Sequence, residues 1–121
     1  MSKSTMSHDA IVKRMLVTAV KRAQKNGHRI THGKYGLKVQ HGKFVANKKC
    51  CPIGAYLDGK KALETTDSFS EVAAVYLALS GNEIDGLVNG VDNLILMNDD
   101  TRQYKAYYRI GKELRERFIK V

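Results

Sequence analysis

A chain of 121 residues with 43% hydrophobic residues and a single proline has the size and composition of one folded domain rather than a disordered segment or a multidomain assembly. Its 21 Lys/Arg against 12 Asp/Glu give a net charge of +9, which points to nucleic acid, an anionic membrane surface or an acidic protein as partner. No apolar run approaches the ~20 residues that cross a bilayer, and the polar stretch Met1 to Ser7 lacks the apolar centre of a signal peptide.

In chain order, residues 1–6 read as a flexible tail and 7–121 as one globular domain. A first helix starts at Ser7 or His8 and stops at Gly27, with Ser7 as cap and Asp9 in the first turn. Ile11, Val12, Met15, Leu16, Ala19 and Ala23 repeat at helical spacing and form its core face, while Arg14, Lys21, Arg22 and Lys25 gather on the other side. Two short strands, Leu37 to Gln40 and Lys43 to Ala46, flank His41-Gly42 as a two-residue hairpin turn. That register sets Val39 opposite Phe44 and Leu37 opposite Ala46. His32-Gly33-Lys34-Tyr35 is echoed by His41-Gly42-Lys43-Phe44, which predicts two similar turns, each presenting a lysine beside an aromatic ring.

Pro52 suits the first position of a short helix that Asp58-Gly59 ends. Ser68 and Glu71 have capping-box spacing ahead of Val72, Val75, Tyr76 and Leu79, with Gly81 as the expected stop. Asn82 is the expected cap of another short helix, Glu83 to Asn89. Asp92 to Met97 is ambiguous in type. Asn98, Asp99 and Asp100 favour the start of a last helix. Its core face is Tyr104, Tyr107, Tyr108, Gly111, Leu114 and Phe118, with Arg102, Lys105, Arg109, Lys112 and Lys120 on the solvent side. Glu113 and Glu116 lie four residues from basic partners in that helix. The fold class expected is α+β: a mostly helical small single domain of about four to five helices with one antiparallel β-hairpin.

Charge is sorted along this frame. Ala10 to Leu57 holds eleven Lys/Arg and no acid, Ala62 to Thr101 holds eight acids and no Lys/Arg, and Arg102 to Val121 is basic again. The densest unneutralised stretch contains Lys25, Arg29, Lys34, Lys38, Lys43, Lys48 and Lys49. Phosphate backbones reward such density through counterion release, and Tyr35 is placed to stack on unpaired bases. Phe44, with an apolar cross-strand partner, belongs to the core. With Arg14, Lys21 and Arg22 beside them, these residues form the expected contact surface for nucleic acid (RNA or DNA) or for an acidic protein surface. Membrane-surface binding fits less well, because helix one lacks interfacial aromatics. The same charge sorting also suits a homodimer, acidic block on basic half.

Other motifs carry less. The segment Val72 to Asn89 has helix-turn-helix rhythm, but its second helix holds Glu83 and Asp85 and no cation, so phosphate would repel it. Adjacent cysteines seldom bridge each other, so Cys50 and Cys51 read as free thiols of a cytoplasmic protein. Lys48, Lys49 and a helix start would lower their pKa, yet no family signature marks a nucleophile. Cys50 and Cys51 with His28, His32 and His41 lack zinc-site spacing. Walker, Rossmann and Gly-x-Ser-x-Gly patterns are missing, so we expect no catalytic residue, metal or cofactor. Gly54, Ala55 and Gly111 point to close helix packing. The function expected is a small basic binding protein, either a nucleic-acid or ribonucleoprotein accessory or an adaptor or inhibitor that grips an acidic partner.

Overall fold

The computed structural model describes residues 7–33, 35–63, 69–92 and 102–119. Five helices, α1 (His8–Lys25), α2 (Pro52–Leu57), α3 (Phe69–Leu77), α4 (Gly81–Val91) and α5 (Arg102–Phe118), combine with four short strands. These are β1 (Arg29–Ile30), β2 (Leu37–Gln40), β3 (Lys43–Ala46) and β4 (Lys49–Cys50). The small single α+β domain expected from the sequence is the one observed. The expected tail (1–6), Lys34, Ser68, most of Asp92 to Met97, the acids Asp99 and Asp100, and Lys120 lie outside the described residues.

Chain chemistry explains how α1 stops. Gly27 has φ +91°, its N–H donates to the Gln24 carbonyl (3.0 Å), and the His28 N–H reaches back to Ala23 (2.9 Å). That is a Schellman ending, in which a left-handed residue lets two orphan carbonyls find donors. The inward face of α1 is Val12, Leu16, Ala19, Val20 and Ala23; Ile11, expected there, is 39% exposed, and Val20 takes its place.

The hairpin has the expected register, Leu37 opposite Ala46 and Val39 opposite Phe44. His41 and Gly42 both have positive φ, as a type I′ turn requires. Phe44 is buried, but Val39 beside the turn is 54% exposed, so that pair covers the core from one side only. A second pairing is not visible in the sequence: β1 and β4 run parallel, Arg29 with Lys49 and Ile30 with Cys50. Parallel partners are distant in sequence and leave no turn signature, and here the whole hairpin lies between them.

Helix α2 begins at Pro52 and ends at Asp58, as the residues dictate; its cap is the Cys51 thiol, which accepts from the Gly54 N–H (3.3 Å). The boundary between α3 and α4 differs from expectation. Gly81 is the first residue of α4 instead of the stop of α3, and Ser80 instead of Asn82 is the cap. Ser80 and Glu83 form a reciprocal capping box, the Glu83 carboxylate accepting from the Ser80 N–H at 2.7 Å. Helix α3 closes through Ala78, which holds φ +56° while Leu79 N–H reaches back to the Ala74 carbonyl (2.8 Å). His8 Nε2 lies 3.0 Å from the Leu77 carbonyl and 3.1 Å from that of Ala78, joining the start of α1 to this end.

Helices α4 and α5 pack backbone to backbone. A Cβ on Gly86 would lie 2.3 Å from the Tyr104 carbonyl oxygen, one on Gly90 2.2 Å from that of Tyr108, and one on Gly111 2.3 Å from that of Leu87. Small residues therefore let the two helix backbones touch. The opposite face of α5 carries its cations. Tyr104, Tyr107, Ile110, Gly111 and Leu114 are its buried residues, so Ile110 joins the expected face while Tyr108 and Phe118 are half-buried.

Candidate functional site

Of the expected contact residues, Arg14, Lys21, Arg22, Lys25, Arg29, Lys38, Lys43, Lys48 and Lys49 are all exposed. The fold gathers most of them around two strand pairings. In the first, Ile30 and Cys50 point inward, which turns their neighbours Arg29 and Lys49 outward side by side. Gly36 makes this possible, because a Cβ there would lie 2.0 Å from the Lys49 carbonyl oxygen. A groove of about 600 Å³ opens beside the pair, lined by His32, Asn47, Lys48 and Lys49 among others. His28 fixes the near wall by donating from Nδ1 to the Asn47 carbonyl (2.7 Å).

The second cluster centres on Lys43, which forms an isolated antiparallel bridge with Lys61. Phe44 N–H donates to the Lys60 carbonyl (2.8 Å) and Ala62 N–H to the Gly42 carbonyl (2.7 Å). Those flanking bonds make Lys43 and Lys61 a non-hydrogen-bonded pair, the type that brings opposing Cα atoms closest, at about 4.5 Å. The neighbouring Lys60 lies over the Tyr56 ring, 4.5 Å from its centroid. It shares a groove of about 430 Å³ with Arg14 and Arg22 from α1, floored by Met15, Ala19 and Tyr56, with Ile11 at its wall. The outer side of α1 thus connects with the hairpin through Lys60 and Lys61.

Two sets of cations lie outside the expected contact residues, although those of α5 are expected on its solvent side. Lys60 and Lys61 fall between the two charge blocks, and only the bridge to β3 reveals their place. On α5, Arg102, Lys105, Arg109 and Lys112 are all exposed along one stripe opposite the buried face. Their i, i+3, i+7, i+10 spacing was the available signal.

The acids are engaged differently. Asp58 accepts from the Ala46 N–H (2.8 Å), Asp92 from the Gly33 N–H (2.8 Å), Glu83 from Ser80, and Asp9 from Ala10 (3.0 Å). The Ser7 hydroxyl beside Asp9 holds its carboxyl below the usual range. Glu113 pairs with Lys13 across α5 and α1, not within its own helix. Arg29, Lys43, Lys49 and Lys61 have no ion pair among the described residues.

Tyr35 stands apart from the cations. It is half-buried, edge-on to Phe69 with ring centroids 5.5 Å apart, and burial pushes its hydroxyl up to about 12. Phe44 meets the same Phe69 ring at 5.8 Å, so the two echoed aromatics converge on one core residue. The positive φ of Gly33 and Gly42 accounts for the repeated His-Gly step. The thiols are free and buried, as small core cysteines commonly are, and the lowered pKa that nearby charge would give is not seen. Loss of solvent pushes Cys50 and Cys51 up to about 11 and about 12, outweighing the nearby lysines and the helix start.

Among the described residues no cluster of three or more His, Cys, Asp or Glu could hold a metal, and no helix is long and apolar enough to cross a membrane. Helix α4, second in the helix-turn-helix rhythm, places Gly86 and Gly90 against α5 and carries no cation. No known protein family, curated protein or solved structure matches the chain.

Proposed function

We propose that this is a small, basic, non-enzymatic binding protein that contacts the phosphate backbone of nucleic acid. The supporting observation is the pair of like-charged cross-strand neighbours, Arg29 beside Lys49 and Lys43 beside Lys61, none of them with an acid partner among the described residues. Like charges placed directly opposite cost roughly 0.2–1 kcal/mol per pair. A ligand with regularly spaced negative charge converts that cost into affinity. Lysine and arginine contacts to phosphate position a ligand without reading its sequence. The two free thiols suit a reducing compartment such as the cytoplasm.

The test is binding of labelled DNA and RNA by fluorescence anisotropy across salt concentrations. With six or more phosphate contacts, affinity should fall by about a thousandfold between roughly 50 and 200 mM salt. Affinity that holds constant over that range would remove this reading.

A second reading has its own observation. The groove between α1 and α2 combines exposed Ile11 and half-buried Met15 with Arg14, Arg22 and Lys60. An apolar floor with a cationic rim suits an acidic protein surface, where a few anchors supply affinity and charge speeds association. One acidic protein recovered at fixed stoichiometry after nuclease treatment, and lost on Ile11→Asp, would favour it.

A further inference from the structure

We propose that the nucleic acid held by this protein is a duplex, gripped through its backbone, rather than a single strand. This rests on the phosphate-binding reading above and narrows it to one substrate class. Proteins that hold single strands combine a cationic groove with aromatic platforms on which bases stack, worth about tenfold or more per base. The chain has no Trp, and its six Tyr and three Phe all lie within the described residues. None of these nine rings is exposed.

Four are buried, and each of the five half-buried rings already has a neighbour. Tyr35 and Phe69 meet edge to face. Tyr108 stacks on Tyr104 at 6.1 Å, Arg117 covers Phe118 at 5.0 Å, and Lys60 lies 5.6 Å from the centre of Tyr76. Base stacking would have to displace core or cation contacts at every position. The lysines and arginines of the two strand pairings therefore stand on a surface without a stacking platform.

What remains is charge density, and here a duplex is the better ligand. It carries one charge per about 1.7 Å of axis, twice that of one of its strands. The α5 stripe from Arg102 to Lys112 is about 15 Å long at 1.5 Å per residue. Over that length a duplex presents about nine phosphates and one strand about half as many. Each contact also releases more counterion from a duplex, with salt slopes of about −0.9 per phosphate against −0.7 for single strands. With no stacking to compensate, backbone contact alone sets the preference.

The experiment compares duplexes of DNA and of RNA, about two helical turns long, with their separated strands by fluorescence anisotropy at roughly 0.1 M salt. Sodium polyglutamate serves as a competitor. At least one duplex should bind about tenfold or more tighter than its strands, with little dependence on base sequence. Arg29→Gln with Lys49→Gln should lower the duplex salt slope by about two. Single strands that bind as tightly as both duplexes would overturn the duplex preference while leaving phosphate binding intact. Polyglutamate that competes as well as duplex at equal charge would overturn it in favour of a general polyanion or acidic-protein site. Absence of binding to every nucleic acid would overturn the underlying reading as well.

Discussion

The α4–α5 layer and the strand region both bring backbones close through glycine, Gly36 serving the strands, but they leave opposite kinds of surface. In α4–α5 the contact is made by small residues. Gly86, Gly90 and Gly111 admit carbonyl oxygens at distances no side chain would allow, and the acids Glu83 and Asp92 hold backbone N–H groups. In the strand region the backbones meet through β1–β4 and the Lys43–Lys61 bridge, and cations are left facing cations at the surface. The first arrangement buries backbone against backbone. The second gives stability away at positions where a glutamate opposite a lysine would have been easy to place. That contrast assigns the glycine seam between α4 and α5 to the scaffold, and the strand surface, with the outward stripe of α5, to contact.

The sharpest test of the scaffold is Gly90→Ala. Alanine gains about 1 kcal/mol of helix propensity over glycine. Its Cβ, however, would lie 2.2 Å from the Tyr108 carbonyl oxygen and 2.9 Å from the Lys112 nitrogen, both backbone atoms that cannot rotate away. The clash wins, with an expected net loss of about 3 kcal/mol in denaturant unfolding. An unchanged or raised midpoint would show that α4 and α5 are not in backbone contact.

Alkaline pH should weaken the interior next. Burial raises Cys50 and Cys51 from 9.0 to about 11 and about 12, and Tyr35 and Tyr107 from 10.0 to about 12. The folded state therefore keeps protons that the unfolded chain releases, and stability is full below pH 9.0 and declines as pH rises from there towards 11 and 12. Urea midpoints measured across that window should fall. A Cys50→Ala, Cys51→Ala variant should start lower, because packing is lost, but decline less steeply. Midpoints that stay level above pH 9.0 would contradict the buried thiols.

The strand surface predicts the reverse pairing of effects. Arg29→Gln with Lys49→Gln should raise stability by up to about 1 kcal/mol, by removing like-charge repulsion. The same change should weaken nucleic-acid binding. If stability falls, the repulsion between these exposed neighbours is not a real term, and the main support for a contact surface goes with it.

Helix ends show how far the sequence could be read. Gly27 advertised the Schellman ending of α1, because glycine takes positive φ without strain. The ending of α3 is built the same way but on Ala78, a residue with no such signature, so the sequence points to Gly81 instead. The hairpin was legible because its turn is local. The β1–β4 pair was not, since Arg29 and Lys49 meet only after the hairpin has folded between them. The same limit applied to the site. Exposure of the cations followed from charge alone, whereas their opposition in pairs, the place of Lys60 and Lys61, and the inward turn of Tyr35 depend on tertiary contacts. Ala78 supplies its own check. Ala78→Gly should add about 1 kcal/mol, because an L-residue in the left-handed region costs about 1–2 kcal/mol and exposed Ala78 contributes little packing.

The smallest effect is expected where α1 meets the α4–α5 layer. Lys13 on α1 pairs with Glu113 on α5, with side chains 42% and 54% exposed. At that exposure water and salt screen the attraction and ordering two long side chains offsets much of it, leaving about 0.2–1 kcal/mol. Glu113→Gln should therefore shift the unfolding midpoint slightly, and the shift should vanish in high salt. It should also raise net positive charge and so strengthen phosphate binding modestly if α5 lies on the contact surface. A large, salt-independent loss of stability would mean instead that this pair, rather than the apolar core, holds α1 against α5.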